Sequence, residues 1–227
     1  MTRLADRTWP EAERMAGHIL AVPVGSTEQH GPHLPLSTDT DVATALATEL
    51  ARRRRDVVVA PPLPYGASGE HAAFPGTLSI GHEALELLLI ELGRSASLSF
   101  RAMLLVVGHG GNALAVSRAV RRLRYEGRRV LAWSPRWRGD AHAGRTETSV
   151  QLALDPARVR LDRAEPGAVE DLATLMPALR EHGVRAVSPN GVLGDPAEAT
   201  AEHGHDLLRR AADDLESTVA GWAAEMS

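Results

Sequence analysis

Four short apolar runs recur along the chain, His18 to Val24, Val57 to Ala60, Ala102 to Val107 and Val130 to Trp133, each bounded by Pro, Gly or charge. Apolar character without alternation marks strands buried on both faces, so these runs predict a parallel sheet. Between them the apolar residues take helical spacing: Val42, Leu46 and Leu50, then Leu85, Leu88, Leu89 and Leu92, then Leu114, Val120 and Leu123. The run Arg52 to Arg55 reads as a solvated helix end. Asp155 to Asp195 carries Pro156, Pro166, Pro177 and Pro189, with Pro196 just beyond, and predicts loops with one short helix. A final helix is expected to turn Leu208, Ala211, Leu215, Val219 and Trp222 inward. Strands alternating with helices and joined by right-handed crossovers give an α/β fold, a three-layer α/β/α sandwich with a mostly parallel central sheet. In such a fold ligands bind beyond the carboxyl ends of the strands.

Composition narrows the chemistry. A length of 227 residues suits a single domain over 1–227, and no repeat or flexible linker divides it. With only 4% aromatic residues, Leu, Val and Ala must fill the core. A formal charge of -4 supplies no basic field for nucleic acid. Cysteine is absent, which excludes disulfides, thiolate nucleophiles and sulfur ligation, so any metal must sit on His, Asp or Glu. The start, Met1 to Arg7, has no apolar signal core, and no stretch reaches the ~20 apolar residues of a membrane span, so a cytoplasmic location is expected.

Every unusual polar cluster follows one of the four predicted strands, which places all of them at one edge of the sheet. After the first strand come Gly25-Ser26-Thr27-Glu28-Gln29-His30 and then Asp39 and Asp41. Carboxylate and imidazole donors suit Zn, Mn or Fe, and a carboxylate can bridge two ions. One of the two aspartates would instead cap a helix starting near Val42. After the second strand, Tyr65 to His71 forms a glycine-containing loop, either a surface turn or a substrate loop in which His71 is a plausible contact. After the third, Gly108-His109-Gly110-Gly111-Asn112 opens a helix. No Gly-Lys-Ser/Thr follows, so His109 as a ligand is preferred to a phosphate loop. After the fourth come His142 and Glu147. Glu147 could serve only the helix dipole. Gathered with the others it completes a five-ligand set of Glu28, His30, Asp39, His109 and Glu147, and leaves His142 free for proton transfer. A non-catalytic metal-stabilised binding protein is the rival class, disfavoured because a bare structural site needs neither His142 nor open glycine-lined loops.

Val22 to Pro35, Gly108 to Asn112, and His142-Ala143-Gly144 with Glu147-Thr148-Ser149 resemble the creatininase family over nearly the whole chain. The resemblance implies a metal-dependent amidohydrolase with two divalent ions, Zn and/or Fe or Mn, held by Glu28, His30, Asp39 and His109, with Asp39 bridging. True creatininases carry a ligand Glu two residues after the motif histidine, where this chain has Gly111, and Glu147 is expected to replace it. His142 and Glu147 are then the catalytic pair, while Ser68, His71 and Asn112 line the substrate pocket. The segments Tyr65 to His71 and Ser188 to Pro196 look most like those of family members that are peptidases acting on a ribosomally made precursor peptide. Creatinine or a formamide is the alternative substrate class. A ring-like homo-oligomer, often a hexamer in the family, is implied as well.

Overall fold

The fold is a computed structural model that describes residues 3–137 and 139–226. Each predicted run forms a strand: β1 (Ile19–Val24), β2 (Val57–Val59), β3 (Ala102–Val107) and β4 (Val130–Trp133). All pairings are parallel in the order β2-β1-β3-β4, with Leu20 opposite Val58 and Met103, and Val106 opposite Trp133. The helices among the described residues are α1 (Trp9–Glu13), α2 (Thr38–Arg53), α3 (Gly81–Ala96), α4 (Ala113–Tyr125), α5 (Arg145–Leu154), α6 (Leu172–His182), α7 (Val184–Val187) and α8 (Ala201–Glu225).

Alternate strand residues point to opposite faces, and each face has its own helical cover. Leu20, Val22, Met103 and Leu105 pack with Leu85 and Leu89 of α3 and Leu123 of α4. Ile19, Ala21, Leu104 and Val106 pack with Leu46 and Leu50 of α2, Val150 of α5, and Leu215 and Val219 of α8. This is the expected α/β/α sandwich. No helix among the described residues is long and apolar enough to cross a membrane.

Several local expectations need correction. Helix α2 begins at Thr38 rather than near Val42, so Asp39 and Asp41 both lie in its first turn, where the helix dipole favours carboxylates. Arg52 and Arg53 close α2 as expected, yet Arg53 also pairs with Glu49, Asp213 and Glu216. Leu88 and Leu114 face outward, 37% and 47% exposed, because Leu85, Leu89 and Gly93 carry the buried stripe of α3, and Ala115, Val116 and Ala119 that of α4. The Pro-rich segment holds the 11-residue α6 as well as the four-residue α7. Asp171 caps α6 at the Thr174 N–H, and burial of Leu175 and Leu179 one turn apart outweighs Pro177 inside it.

The early start of α2 builds the site. Its first turn lies against the ends of β1 and β3, where a Cβ on Gly25 would collide with Thr40 and one on Gly108 with the Asp39 main chain. Glycine at these two positions lets Asp39 settle between the strand ends.

Candidate metal centre

Asp39, 3% exposed, is the hub. Its carboxylate accepts from Ser26 Oγ at 2.7 Å and faces His30 Nε2 at 3.3 Å and His109 Nδ1 at 3.2 Å. His30 Nδ1 lies 3.1 Å from the Glu28 carbonyl, so it donates there and turns Nε2 toward Asp39 and Glu147, the latter at 3.7 Å. Fixing one imidazole nitrogen on a main-chain oxygen to aim the other is the usual outer support of a metal-binding histidine. Glu147, in the first turn of α5, accepts from the Ala143 N–H at 2.6 Å.

The electrostatics call for a cation. Glu28 is fully buried, and neither of its carboxylate oxygens has a hydrogen-bond partner. Burial and the Asp39 carboxylate push its pKa up to about 7, with His109 and His30 only partly opposing. Burial likewise raises Glu147, against the pull of His30. Burial lowers His30, but Asp39, Glu147 and Glu28 overcome it and lift it to about 10. In the same way Glu28 and Asp39 lift His109 to about 9 against burial. Despite burial, Asp39 is held well below the carboxylate range by those two histidines. Three carboxylates buried together are costly unless positive charge is supplied.

Three groups offer ligand atoms within 4.8 Å of one another: Glu28, Asp39 and His109; His30, Asp39 and Glu147; and Glu28, His30 and His142. All donors are N or O, which suits Zn, Mn or Fe. Asp39 is common to the first two groups, as a bridging carboxylate requires. The third group adds His142, which the sequence reading had kept apart from the ligands.

His142 and His71 form a second layer. His142 Nε2 lies 2.9 Å from the Gln29 carbonyl and donates to it, which leaves an unprotonated Nδ1 directed at Glu28 and Glu147, 3.9 Å from each. Burial and the charge on His30 push the His142 pKa well down. The Gln29 amide donates to His71 Nδ1 at 2.8 Å and to the Gly191 carbonyl at 3.0 Å, so His71 turns its protonated Nε2 toward Glu28 at 3.4 Å. Burial, then His30 and His109, pull His71 down to about 3.

Ser68 is buried with Oγ 3.4 Å from His109 Nε2. Asn112, expected to contact substrate, has both amide ends engaged: Oδ1 accepts from the Ala67 N–H and Nδ2 donates to the Gly25 carbonyl. It is fully buried and braces two loops. Sequence reasoning missed Gln29, which sets the tautomers of His71 and His142, and Glu70, whose carboxylate is 3.7 Å from His109 Nε2. Both stand beside motif residues, and that adjacency was the only signal. A side chain at Gly111 would run into His109 and Glu70, so the missing Cβ makes room for both.

The shifts give a signed prediction for the metal-free protein. Between about 6.5 and 10 the folded chain holds protons on His30 and His109 that the unfolded chain releases, so stability falls as pH rises. Below 6.5, His71 and His33, lowered to about 3 and about 4, act in the opposite sense, which confines the decline to the alkaline side. Thermal melts of chelator-treated protein should show Tm dropping from pH 7 to 10. A flat profile would contradict the charge arrangement described here.

Residues 5–219 match the family model described as creatininase, creatinine amidohydrolase. The mycofactocin precursor peptide peptidase of Mycobacterium ulcerans (strain Agy99) is 49% identical over 225 residues, covering 95% of this chain and 86% of that one. The creatinine amidohydrolase of Pseudomonas putida is 32% identical, covering 70% of this chain and 74% of that one. A creatininase variant of the Zn-Zn type superposes with a TM-score of 0.79 at 26% identity, covering 96% of each chain. With its donor set gathered beyond the ends of parallel strands, in loops and the first turns of helices, and with this match along most of its length, the chain belongs to the creatininase family.

Proposed function

We propose that the chain is a metal-dependent peptidase that hydrolyses an amide bond of the modified mycofactocin precursor peptide and releases its C-terminal Val-Tyr-derived unit. It acts as one domain over 1–227 and in the cytoplasm. The observation that carries the metal chemistry is the buried Glu28 carboxylate, without a hydrogen-bond partner among the described residues, set among imidazoles and two further carboxylates. Peptide is favoured over creatinine by the higher identity to the peptidase, and by a groove of about 570 Å³ that opens from His109 and Glu147.

Glu28, Asp39 and His109 would hold one ion and His30, Asp39 and Glu147 the other, as Zn, Fe or Mn. Two divalent ions there supply Lewis acidity, bringing the pKa of water toward 7 and polarising the amide carbonyl. The chain's own residues do the rest. His142, neutral and with Nδ1 unprotonated, accepts the proton of the attacking water and returns it to the leaving nitrogen, so no protein nucleophile is required. Glu147 fixes the cationic side of the site beside it. Ser68 and His71 line the floor, and Gln29 keeps both outer histidines in their working tautomers.

Glu147→Gln should reduce bound metal from about two equivalents to one, measured by elemental analysis after gel filtration. Unchanged stoichiometry would confine Glu147 to the α5 dipole. Exposed Leu78, Ile80, Leu87 and Leu114 suit burial between copies, in line with a homo-oligomer, and sedimentation as a monomer would remove that part. The deciding assay offers metal-loaded protein the modified precursor peptide and creatinine in parallel, read by mass spectrometry. Release of the C-terminal unit supports the proposal. Turnover of creatinine alone overturns it in favour of a small-amide hydrolase, and inertness toward every amide favours a binding protein.

A further inference from the structure

The groove beside the metal centre ends in positive charge. It starts at His109 and Glu147, follows α4 past Val116 and Val120, and finishes at Arg121 and Arg124. Its other wall is β4, an edge strand with no neighbouring strand on its outer side among the described residues. An edge of this kind can pair with an extended peptide.

The arginines of α4 are not alike. Arg118 is paired with Glu86 and Arg122 with Glu126. Among the described residues the Arg121 side chain makes no hydrogen bond or ion pair, and that of Arg124 spends only Nε, on the Val130 carbonyl at 2.8 Å. In a chain of net charge -4, two guanidinium groups left uncompensated at the end of a groove are matched to carboxylate.

At about 1.5 Å per helical residue, Arg121 and Arg124 lie roughly 12 and 16 Å beyond Ala113, a span of four or five extended residues at about 3.3 Å each. The unit released on the leaving side is only two residues long. A peptide filling the groove therefore fills it with its N-terminal side.

We propose that Arg121 and Arg124 form a specificity subsite for an Asp or Glu side chain four or five residues N-terminal to the scissile bond. The inference rests on the peptidase reading above. The bound segment runs extended along β4, and the arginines set its register so that the scissile amide reaches the metals.

The test compares kcat/KM of metal-loaded protein on the acidic peptide and on the same peptide with Asn or Gln at that position. Binding is measured in parallel by fluorescence anisotropy, using peptides N-methylated at the scissile amide. Wild type should prefer the acidic peptide by about 10-fold, the value of one charge-assisted contact. The preference should fade as salt is raised. Arg121→Gln should bring the ratio close to one, and Arg121→Glu should invert it toward a Lys-containing peptide. Arg121 is exposed and its side chain is bonded to no described residue, so neither variant endangers the fold. Equal binding of acidic and neutral peptides by wild type, or a ratio that survives in both variants, overturns the subsite. Preferential binding with no cleavage of any peptide would instead overturn the peptidase reading and leave the subsite standing.

Discussion

Asp39→Asn should yield a folded protein that retains neither metal and hydrolyses no amide at a measurable rate. Asp39 is the residue common to the groups Glu28, Asp39, His109 and His30, Asp39, Glu147. The amide has the same shape, and its oxygen can still accept from Ser26 Oγ, so α2 keeps its place against Gly25 and Gly108. What disappears is the negative charge that faces both His30 and His109. Loss of an outer support typically costs about 10–100-fold in metal affinity or activity, and removal of a shared ligand should exceed that range. Elemental analysis with circular dichroism tests it. A well-folded variant that keeps two equivalents of metal would remove Asp39 from the centre.

His142→Ala should lower turnover by ~10²–10⁴-fold, the usual contribution of a positioned acid-base group. The same variant separates the two roles that the geometry permits. As the proton carrier, His142 can be lost with both metals retained and with KM little changed, and the pH dependence on the acidic limb should flatten. As a ligand completing the group with Glu28 and His30, its loss would lower metal content. The expected result is two equivalents of metal and a slow enzyme. A drop to one equivalent would reassign His142 to the ligands and leave the proton transfer to another group.

The sheet was legible because parallel strands covered on both faces are apolar throughout, and the runs here are too short for helices and bounded by Pro, Gly or charge. The candidate donors stood out for a related reason: each polar cluster broke in where an apolar run ended. What escaped notice depends on contacts across the fold. Gln29 matters because Gly191, 162 residues away, accepts from its amide while His71 and His142 lie on either side. Asn112 looked like a substrate contact because it ends a glycine-rich motif, and only the tertiary structure shows Ala67 and Gly25 taking up its amide. Helix α6 was obscured by Pro177, whose local cost is overcome by burial of Leu175 and Leu179.

The spread of the ligands along the chain also sets when the centre can exist. Glu28 leaves the ribosome early, whereas Glu147 follows only after β2, β3 and β4 have been made, roughly 6–24 s later at ordinary synthesis rates. Until then the nascent chain can assemble the group Glu28, Asp39 and His109, whereas the group His30, Asp39 and Glu147 still lacks a carboxylate. The full donor set is thus a late product of synthesis, complete only when α5 has been made.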